Sequence, residues 1–249
     1  RIDLLEPDEK RAIQDASVMG RTFWPGGLAR LGTLDAERRV DALISKGLVR
    51  ANETSSVEGE RELLFAHVLI RDVAYASIPK ARRREAHATV GAWIEEGTTG
   101  RAEEFAEILA YHFSLAGDRA RSARYSLLAG QRLLRVFAAD EAIAWFDRAL
   151  EAADASDASM RAEVSFSRGS AKEQLGRYEE ARADYEDAAR DAPEADGSAE
   201  ARAFAAVTHV LLLLDRYDEG LERVPEALER ARSAGLADVE ARLLYTAGG

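Results

Sequence analysis

Four histidines, at positions 67, 87, 112 and 209, are the side chains of this sequence best suited to proton or ligand chemistry. They are widely scattered, and none forms the close-spaced pair expected of a metal site. There are no cysteines, which removes disulfides and thiolate ligands. No G-x-x-x-x-G-K-[ST] run occurs, so the chain carries no phosphate-binding loop of its own. "GGLARLGT" is glycine-rich but lacks a lysine and follows no strand. No serine, histidine and acid stand out as a set. Glu179-Glu180 fall on an amphipathic helical pattern and read as solvated. Arg82-Arg83-Arg84 read as an exposed helix face. The sequence therefore assigns no catalytic residue and no metal, and we read this chain as no enzyme.

One histidine sits in a conspicuous place. "LLFAHVLIRDVAY", Leu63 to Tyr75, is apolar up to Arg71-Asp72 apart from His67. Such a histidine either caps or packs as part of the core, or touches a ligand at the junction of two elements. An imidazole can present a ring nitrogen to an anion, and a helix start adds backbone donors and a favourable dipole.

The elements around it follow from periodicity. Asp8 to Met19 reads as a helix, with Pro7 at its start and Ala12, Ile13, Ala16 and Met19 at helical spacing. "GRTFWPGG" breaks it. A short helix follows near Leu28–Leu31. Thr33 is placed to cap a third helix, "LDAERRVDALISKG", ending at Gly47. "LVRA" and "RELLFAH" then read as two short strands around the polar loop "NETSSVEGE". Three helices and a two-stranded ribbon give a winged-helix order over residues 1–78. "VLIRDVAYASI" returns to a helical period, with Ile70, Val73, Ala74 and Ile78 on one side. Residues 79–117 read as helical linker, with Ala86, Val90 and Trp93 along one stripe.

From there only helices are expected. "AEVSFSRGSAKEQLGRYEEARADYEDAARDAP", residues 162–193, resembles a tetratricopeptide repeat, a helix–turn–helix of about 34 residues. Gly169 matches the small residue of its first helix. Gly176 and Tyr178 match the turn, and Ala181, Tyr185 and Ala188 the packing face of the second helix. Pro193 matches the terminating proline, and the early tryptophan of the family is absent. The small residues would let paired helices approach, with Tyr178 and Tyr185 filling the space towards the next pair. The pattern recurs at a spacing of 39. Gly130, Ala142, Phe146 and Ala149 stand one repeat earlier; Thr208, Tyr217, Gly220 and Ala227 stand one repeat later. Repeats would start near residues 123, 162, 201 and 240, so that 118–249 stacks as a right-handed solenoid around one continuous core. The fold class is thus mainly α, a winged-helix domain followed by a tetratricopeptide-like α-solenoid. Its concave face would expose Glu163, Phe166, Ser170 and Glu173 to a protein partner or another domain.

Charge narrows the partners. The net charge is −11; residues 1–100 hold 15 basic and 16 acidic side chains, and residues 101–249 hold 19 and 29. Neither part has the basic excess of a nucleic-acid groove. No apolar run approaches the ~20 residues of a membrane span, and no signal-peptide pattern is expected, so the chain is read as soluble and cytoplasmic. Arg1 at one end and "YTAGG" inside a helical pattern at the other read as a piece of a longer protein.

"FAHVLIRDVAY" resembles the "F-x-H-x-L-[IV]-R-[DE]-[VL]-A-Y" run of large bacterial signal-transducing (STAND-type) ATPases with tetratricopeptide tails. "EKRAIQDASVMGRTFW" resembles the start of their winged-helix segment. "IPKARRREAHATVGAWIEE" and "AEEFAEILAYHFSLAGD" resemble the helices before the repeats. The nearest subgroup looks like ATPases linked to class III adenylate or guanylate cyclase domains. Related transcriptional activators come next. The resemblance implies that His67 is the histidine of a Met-His-Asp motif, which contacts the β-phosphate of ADP held by a nucleotide-binding domain. Ala66 and Val68 stand where the methionine and aspartate would be. ATP and ADP would then belong to the parent protein, with no cofactor in this chain. Two other readings stand beside it: a DNA-binding regulator using the helix from Asp35 to Lys46, and a plain interaction scaffold.

Overall fold

A computed structural model describes residues 2–192 and 197–248. Pro193 lies outside the described residues. The chain is mainly helical, with thirteen α-helices and three short strands among the described residues. It divides into two compact units, Arg1–Asp118 and Arg119–Gly249.

The first unit begins with α1 (Pro7–Met19). Its start is fixed by a reciprocal capping pair between Glu6 and Glu9 and by Pro7 in the first turn. Gly20 turns the chain out of the helix, at φ 132°. Strand β1 (Thr22–Phe23), α2 (Pro25–Arg30) and α3 (Ala36–Ser45) follow, then β2 (Val49–Ala51) and β3 (Leu63–Phe65). The strands form one antiparallel sheet in the order β1-β3-β2, with Phe23 opposite Leu63 and Val49 opposite Phe65. The expected two-stranded ribbon is therefore three-stranded. Two residues are too few to show a period of two, so β1 is hidden inside a segment that reads only as a break. Phe23 is nevertheless fully buried, its ring centroid 5.3 Å from that of Phe65.

The expected Thr33 cap is also corrected. Helix α3 starts after Asp35, which adopts the left-handed region at φ 50° and gives no side-chain cap. Thr33 is buried and donates instead to Asp15 Oδ2 of α1 at 2.9 Å. Asp15 is almost fully buried and is also paired with Arg82. A local cap lost to a stronger tertiary need, the satisfaction of a buried carboxylate. The unit ends with α4 (Val68–Ala76), α5 (Lys80–Gly97) and α6 (Ala106–Ala116).

The second unit is a run of consecutive helices in the manner of a tetratricopeptide-like solenoid. The helices are α7 (Arg119–Arg135), α8 (Ala139–Ala152), α9 (Ala158–Gln174), α10 (Tyr178–Asp191), α11 (Gly197–Leu213), α12 (Tyr217–Ser233) and α13 (Ala237–Gly248). Each of the first three pairs closes by placing a side chain against a small residue. A Cβ on Gly130 would fall 2.5 Å from Phe146 Cε1, and one on Gly169 would fall 2.8 Å from Tyr185 Cε1. Ala142, Ala149, Ala181 and Ala188 are buried on the same second helices, and Ala227 is buried at the matching place one repeat on. One repeat on, Thr208 replaces the glycine, and the residue 16 places after it is Val224, not an aromatic ring. Gly220 takes its own partner, with Leu212 Cδ2 2.6 Å from where a Cβ would stand. Tyr185 packs further among Ala206, Val207, Val210 and Leu211 of the following repeat, with Tyr178 at the edge of that cluster.

The turns show the same offset. Phe137, Gly176 and Asp215 stand 39 residues apart, and all three have positive φ, at 61°, 72° and 58°. Glycine and aspartate tolerate that conformation; a bulky phenylalanine is strained there. An ionic cluster adds register. Arg168 of α9 bonds Asp184 of α10 at 2.6 and 3.0 Å and Asp147 of α8 at 2.7 Å, and Lys172 reaches Asp184 at 2.7 Å.

These fits predict the effect of a single methyl group. Gly130→Ala and Gly169→Ala each overfill the contact, at about 1–3 kcal/mol. That exceeds the ~1 kcal/mol that alanine gains over glycine in a helix. Urea denaturation of either variant is expected to show a lower midpoint. A midpoint unchanged or raised would mean that the rings simply move aside.

Candidate functional site

His67 is the residue on which the strand-to-helix junction turns. The sheet ends at Phe65, and Ala66 N–H donates to the Leu48 carbonyl at 2.9 Å. His67 then stands extended, at φ −147° and ψ 137°, as the N-cap of α4. Its Nδ1 accepts from Leu69 N–H at 3.3 Å. The neutral ring must therefore carry its proton on Nε2. That nitrogen makes no hydrogen bond among the described residues, and the side chain is exposed.

The run after His67 does not all enter the core. Leu63, Phe65, Ala74 and Ile78 are buried, but Val68, Leu69 and Val73 are 43%, 62% and 57% exposed. Val73 was expected on the inner side with Ala74 and Ile78. Residues 68, 69, 72, 73 and 76 share the outward face at helical spacing, and the residue type alone conceals this. The inward face is held by side chains. Arg71 Nε donates to the Ser17 carbonyl of α1 at 3.3 Å, and its guanidinium lies 5.1 Å from the Tyr75 ring centroid. Gln14 of α1 donates to Ser77 Oγ at 2.8 Å. Thus one short helix presents an imidazole N–H and an apolar strip outward while it is fastened on its inner side.

Beneath α4 lies a group that sequence reading missed. His87 and His112 stand 25 positions apart and read in the sequence only as scattered histidines. Their Nδ1 atoms are 2.9 Å apart, and Tyr75 Oη lies 2.8 Å from His87 Nε2. Tyr111 packs edge-on against both imidazole rings. The correction is one of topology: the turn between α5 and α6 folds the two helices antiparallel and brings the rings together. A useful signal was present, since His87 follows Ala86 and His112 precedes Phe113, both on buried stripes. Two histidines do not complete a metal site, and no cluster of three or more metal-ligating side chains exists among the described residues.

In the second unit the four residues expected on the concave face have unequal fates. Glu163 is exposed and accepts from Gln131 at 3.1 Å. Phe166 is half-buried, with its ring centroid 5.3 Å from that of Tyr185. Ser170 is half-buried. Glu173 accepts from Tyr185 Oη at 2.7 Å and faces His209 Nε2 at 3.6 Å. The Glu163–Phe166 end opens on a cleft, of about 250 Å3, whose lining adds Ser159, Ser198 and Arg202. The following helix pair covers the other end. Arg202 and His209 were missed, although each stands 39 residues after an expected groove residue, Glu163 and Ser170 respectively.

On the helix considered for DNA contact, α3, Glu37, Arg39 and Asp41 are met by other charges, and Arg38 stays exposed. Arg61, before β3, lies 2.9 Å from Asp41 and 3.5 Å from Glu37. Arg39 pairs with Asp8 at 2.6 Å and Lys46 with Glu9 at 2.5 Å.

No protein-family model matches the sequence, and no curated protein matches it. Among solved structures, the chain is similar to a Signal Transduction ATPase with Numerous Domains (STAND) protein with a tetratricopeptide repeat sensor from Pyrococcus horikoshii. The identity is 12% and the TM-score 0.46, over 99% of this chain. The chain spans about half the length of that protein, 47%. No helix among the described residues is long and apolar enough to cross a membrane.

The buried histidines give a pH dependence of known sign. Burial, then the Arg71 and Arg83 guanidiniums, hold His87 down at about 4. Burial, then His87 itself, holds His112 at about 3. Both lie below the ordinary 6.5, so the unfolded chain takes up protons that the folded chain refuses. Their stabilising contribution is complete above about pH 6.5 and is lost as the pH falls towards 4 and below. Each unit of separation is worth about 1.4 kcal/mol per histidine. The thermal midpoint of the protein is expected to drop through this range, and less steeply in His87→Gln and His112→Gln. An unchanged slope in both variants would assign the acid sensitivity elsewhere.

Proposed function

We propose that this chain is a non-catalytic regulatory segment of a signal-transducing (STAND-type) ATPase. In this reading residues 1–78 are a winged-helix domain, 79–117 are linker, and 118–249 form a right-handed tetratricopeptide solenoid. The winged-helix domain docks on a nucleotide-binding domain of the parent protein. The solenoid takes a protein partner or another domain. Partner binding shifts the balance between closed ADP-bound and open ATP-bound forms. The parent resembles bacterial, cytoplasmic ATPases linked to adenylate or guanylate cyclase domains.

The observation that carries this reading is the free Nε2–H of His67 at the start of α4, bordered by exposed Val68, Leu69 and Val73. A contiguous apolar strip on a surface marks an interaction site. His67 donates Nε2–H to the β-phosphate of ADP, and the first turn of α4 adds its dipole. With Ala66 and Val68 as neighbours, the histidine carries the contact without the methionine and aspartate of the motif. The helix order α1–α3 before β2 and β3, with β1 joined as a third strand, supports the winged-helix assignment.

The DNA-binding reading is the weaker one. Affinity for a duplex comes from several cations free to neutralise phosphates, whereas Arg39, Lys46 and Arg61 around α3 are already paired with carboxylates and, among the described residues, only Arg38 of that helix is left unpaired. A gel shift at low salt is expected to show no tight complex; one that forms and dissolves with added salt would restore that reading.

In the full-length parent protein, His67→Ala is expected to release bound ADP faster by about tenfold, the worth of one hydrogen bond to a charged group. Unchanged release would leave His67 as a helix cap only.

A further inference from the structure

Tyr75, His87 and His112 come from three helices and form one line of hydrogen bonds. Two imidazole nitrogens can share a bond only when one carries a hydrogen and the other does not. The 2.9 Å contact between His87 Nδ1 and His112 Nδ1 therefore permits two proton orders. In one, His112 gives Nδ1–H to His87, and His87 gives Nε2–H to Tyr75. That leaves a bare lone pair on His112 Nε2. In the other, Tyr75 gives its O–H to His87 Nε2, His87 gives Nδ1–H to His112, and the His112 proton sits on Nε2.

The surroundings choose the second order. His112 is wholly buried, and Nε2 has no partner of full hydrogen-bond geometry. The backbone of Met19, at the end of α1, is what favours a proton on this ring, and with Nδ1 engaged by His87 that proton belongs on Nε2. At the other end, burial keeps the Tyr75 hydroxyl protonated and so able to donate, with the guanidiniums of Arg71 and Arg83 5.1 and 4.6 Å from its ring centroid. Tyr111 and His112 on α6, Arg71 and Tyr75 on α4, and Arg83 on α5 are the titratable and charged groups around His87. None is a carboxylate that would hold an extra proton on the pair.

Helix α4 packs its backbone on α1 and β3. Its ties to α5 are made by side chains: Tyr75 to His87, and Arg83 to the carbonyls of Ala76 and Ile78, each at 2.8 Å. We propose that His87 is the positioning residue of α4: the one-way chain Tyr75→His87→His112 allows α4 a single register on α5 and α6, so that a shift of those helices moves the helix that His67 caps. Slipping by one link would break both bonds of the His87 ring. The coupling stands on these contacts alone; its reach to a nucleotide rests on the function proposed above.

The test uses this chain without nucleotide, so its failure is separate from failure of the ADP contact. Nitrogen-15 spectra of labelled histidines are expected to place the His87 proton on Nδ1 and the His112 proton on Nε2. The reverse assignment overturns the proposal, and this measurement needs no variant. Tyr75→Phe keeps the ring but removes the donor. Amide hydrogen exchange at residues 72–76 of α4 is expected to quicken by roughly tenfold, as opening of a local unit allows, while α3 is unaffected. His87→Gln, which can still accept and donate, is expected to exchange more slowly there than His87→Leu. Exchange at 72–76 unchanged in Tyr75→Phe, or quickened equally throughout the unit, would make His87 an ordinary core residue.

Discussion

Asp15 carries a carboxylate with almost no access to solvent, and the first unit is arranged around satisfying it. Burial raises its pKa, and Arg82, Thr33 and Arg11 oppose that rise. An isolated buried carboxylate is among the costliest groups a fold can hold, so the partners must arrive together. Thr33 comes from the turn between α2 and α3, and Arg82 from the first turn of α5. The neighbouring residues of α1 repeat the pattern, Gln14 reaching Ser77 and the Ser17 carbonyl receiving Arg71. One polar stripe on α1 thereby fixes the α2–α3 turn, α4 and α5, while its apolar stripe of Ala12, Ile13 and Ala16 fills the core.

This double use of α1 explains what the sequence disclosed and what it withheld. The apolar stripe has a helical period and reveals α1 at once. The polar stripe looks like ordinary solvated surface, because its partners lie 18 to 67 positions away. Thr33 was misread for the same reason: its local role as a cap is visible in sequence, and its distant role is not. The histidine pair under α4 is withheld by topology, since only the antiparallel fold of α5 on α6 joins residues 87 and 112. Strand β1 is withheld by length.

The second unit behaves differently because its contacts repeat. A constraint that recurs every 39 residues can be read by aligning the chain with itself. The glycine-to-ring fits, the buried alanines and the left-handed turn positions all obey that offset. Even the exception keeps the offset: where the third copy has threonine at 208 for the glycine, it has valine at 224 for the ring. The groove was less legible than the core. Its outer residues are set by how far the next pair covers the last, and only Glu163 stays fully exposed where four residues were expected. Arg202 and His209 could have been found by carrying the offset through the groove positions as well as the packing positions.

Helix α4 joins the two kinds of bonding that a docking element needs. On its inner side, directional hydrogen bonds and the arginine contacts favour one register, because a shift breaks the bonds that Tyr75, His87 and Arg83 make there. On its outer side, Val68, Leu69 and Val73 offer apolar area, which is non-directional and is satisfied by any complementary surface. A helix made the other way round, apolar within and polar without, would dock selectively but slide easily on its own unit. As built, the outer face can exchange one covering surface for another without altering the inner register. The N–H of His67 has a defined place, because the ring is fixed by its own cap. Such a helix reports the position of α5 and α6 rather than the strength of whatever touches its outer face.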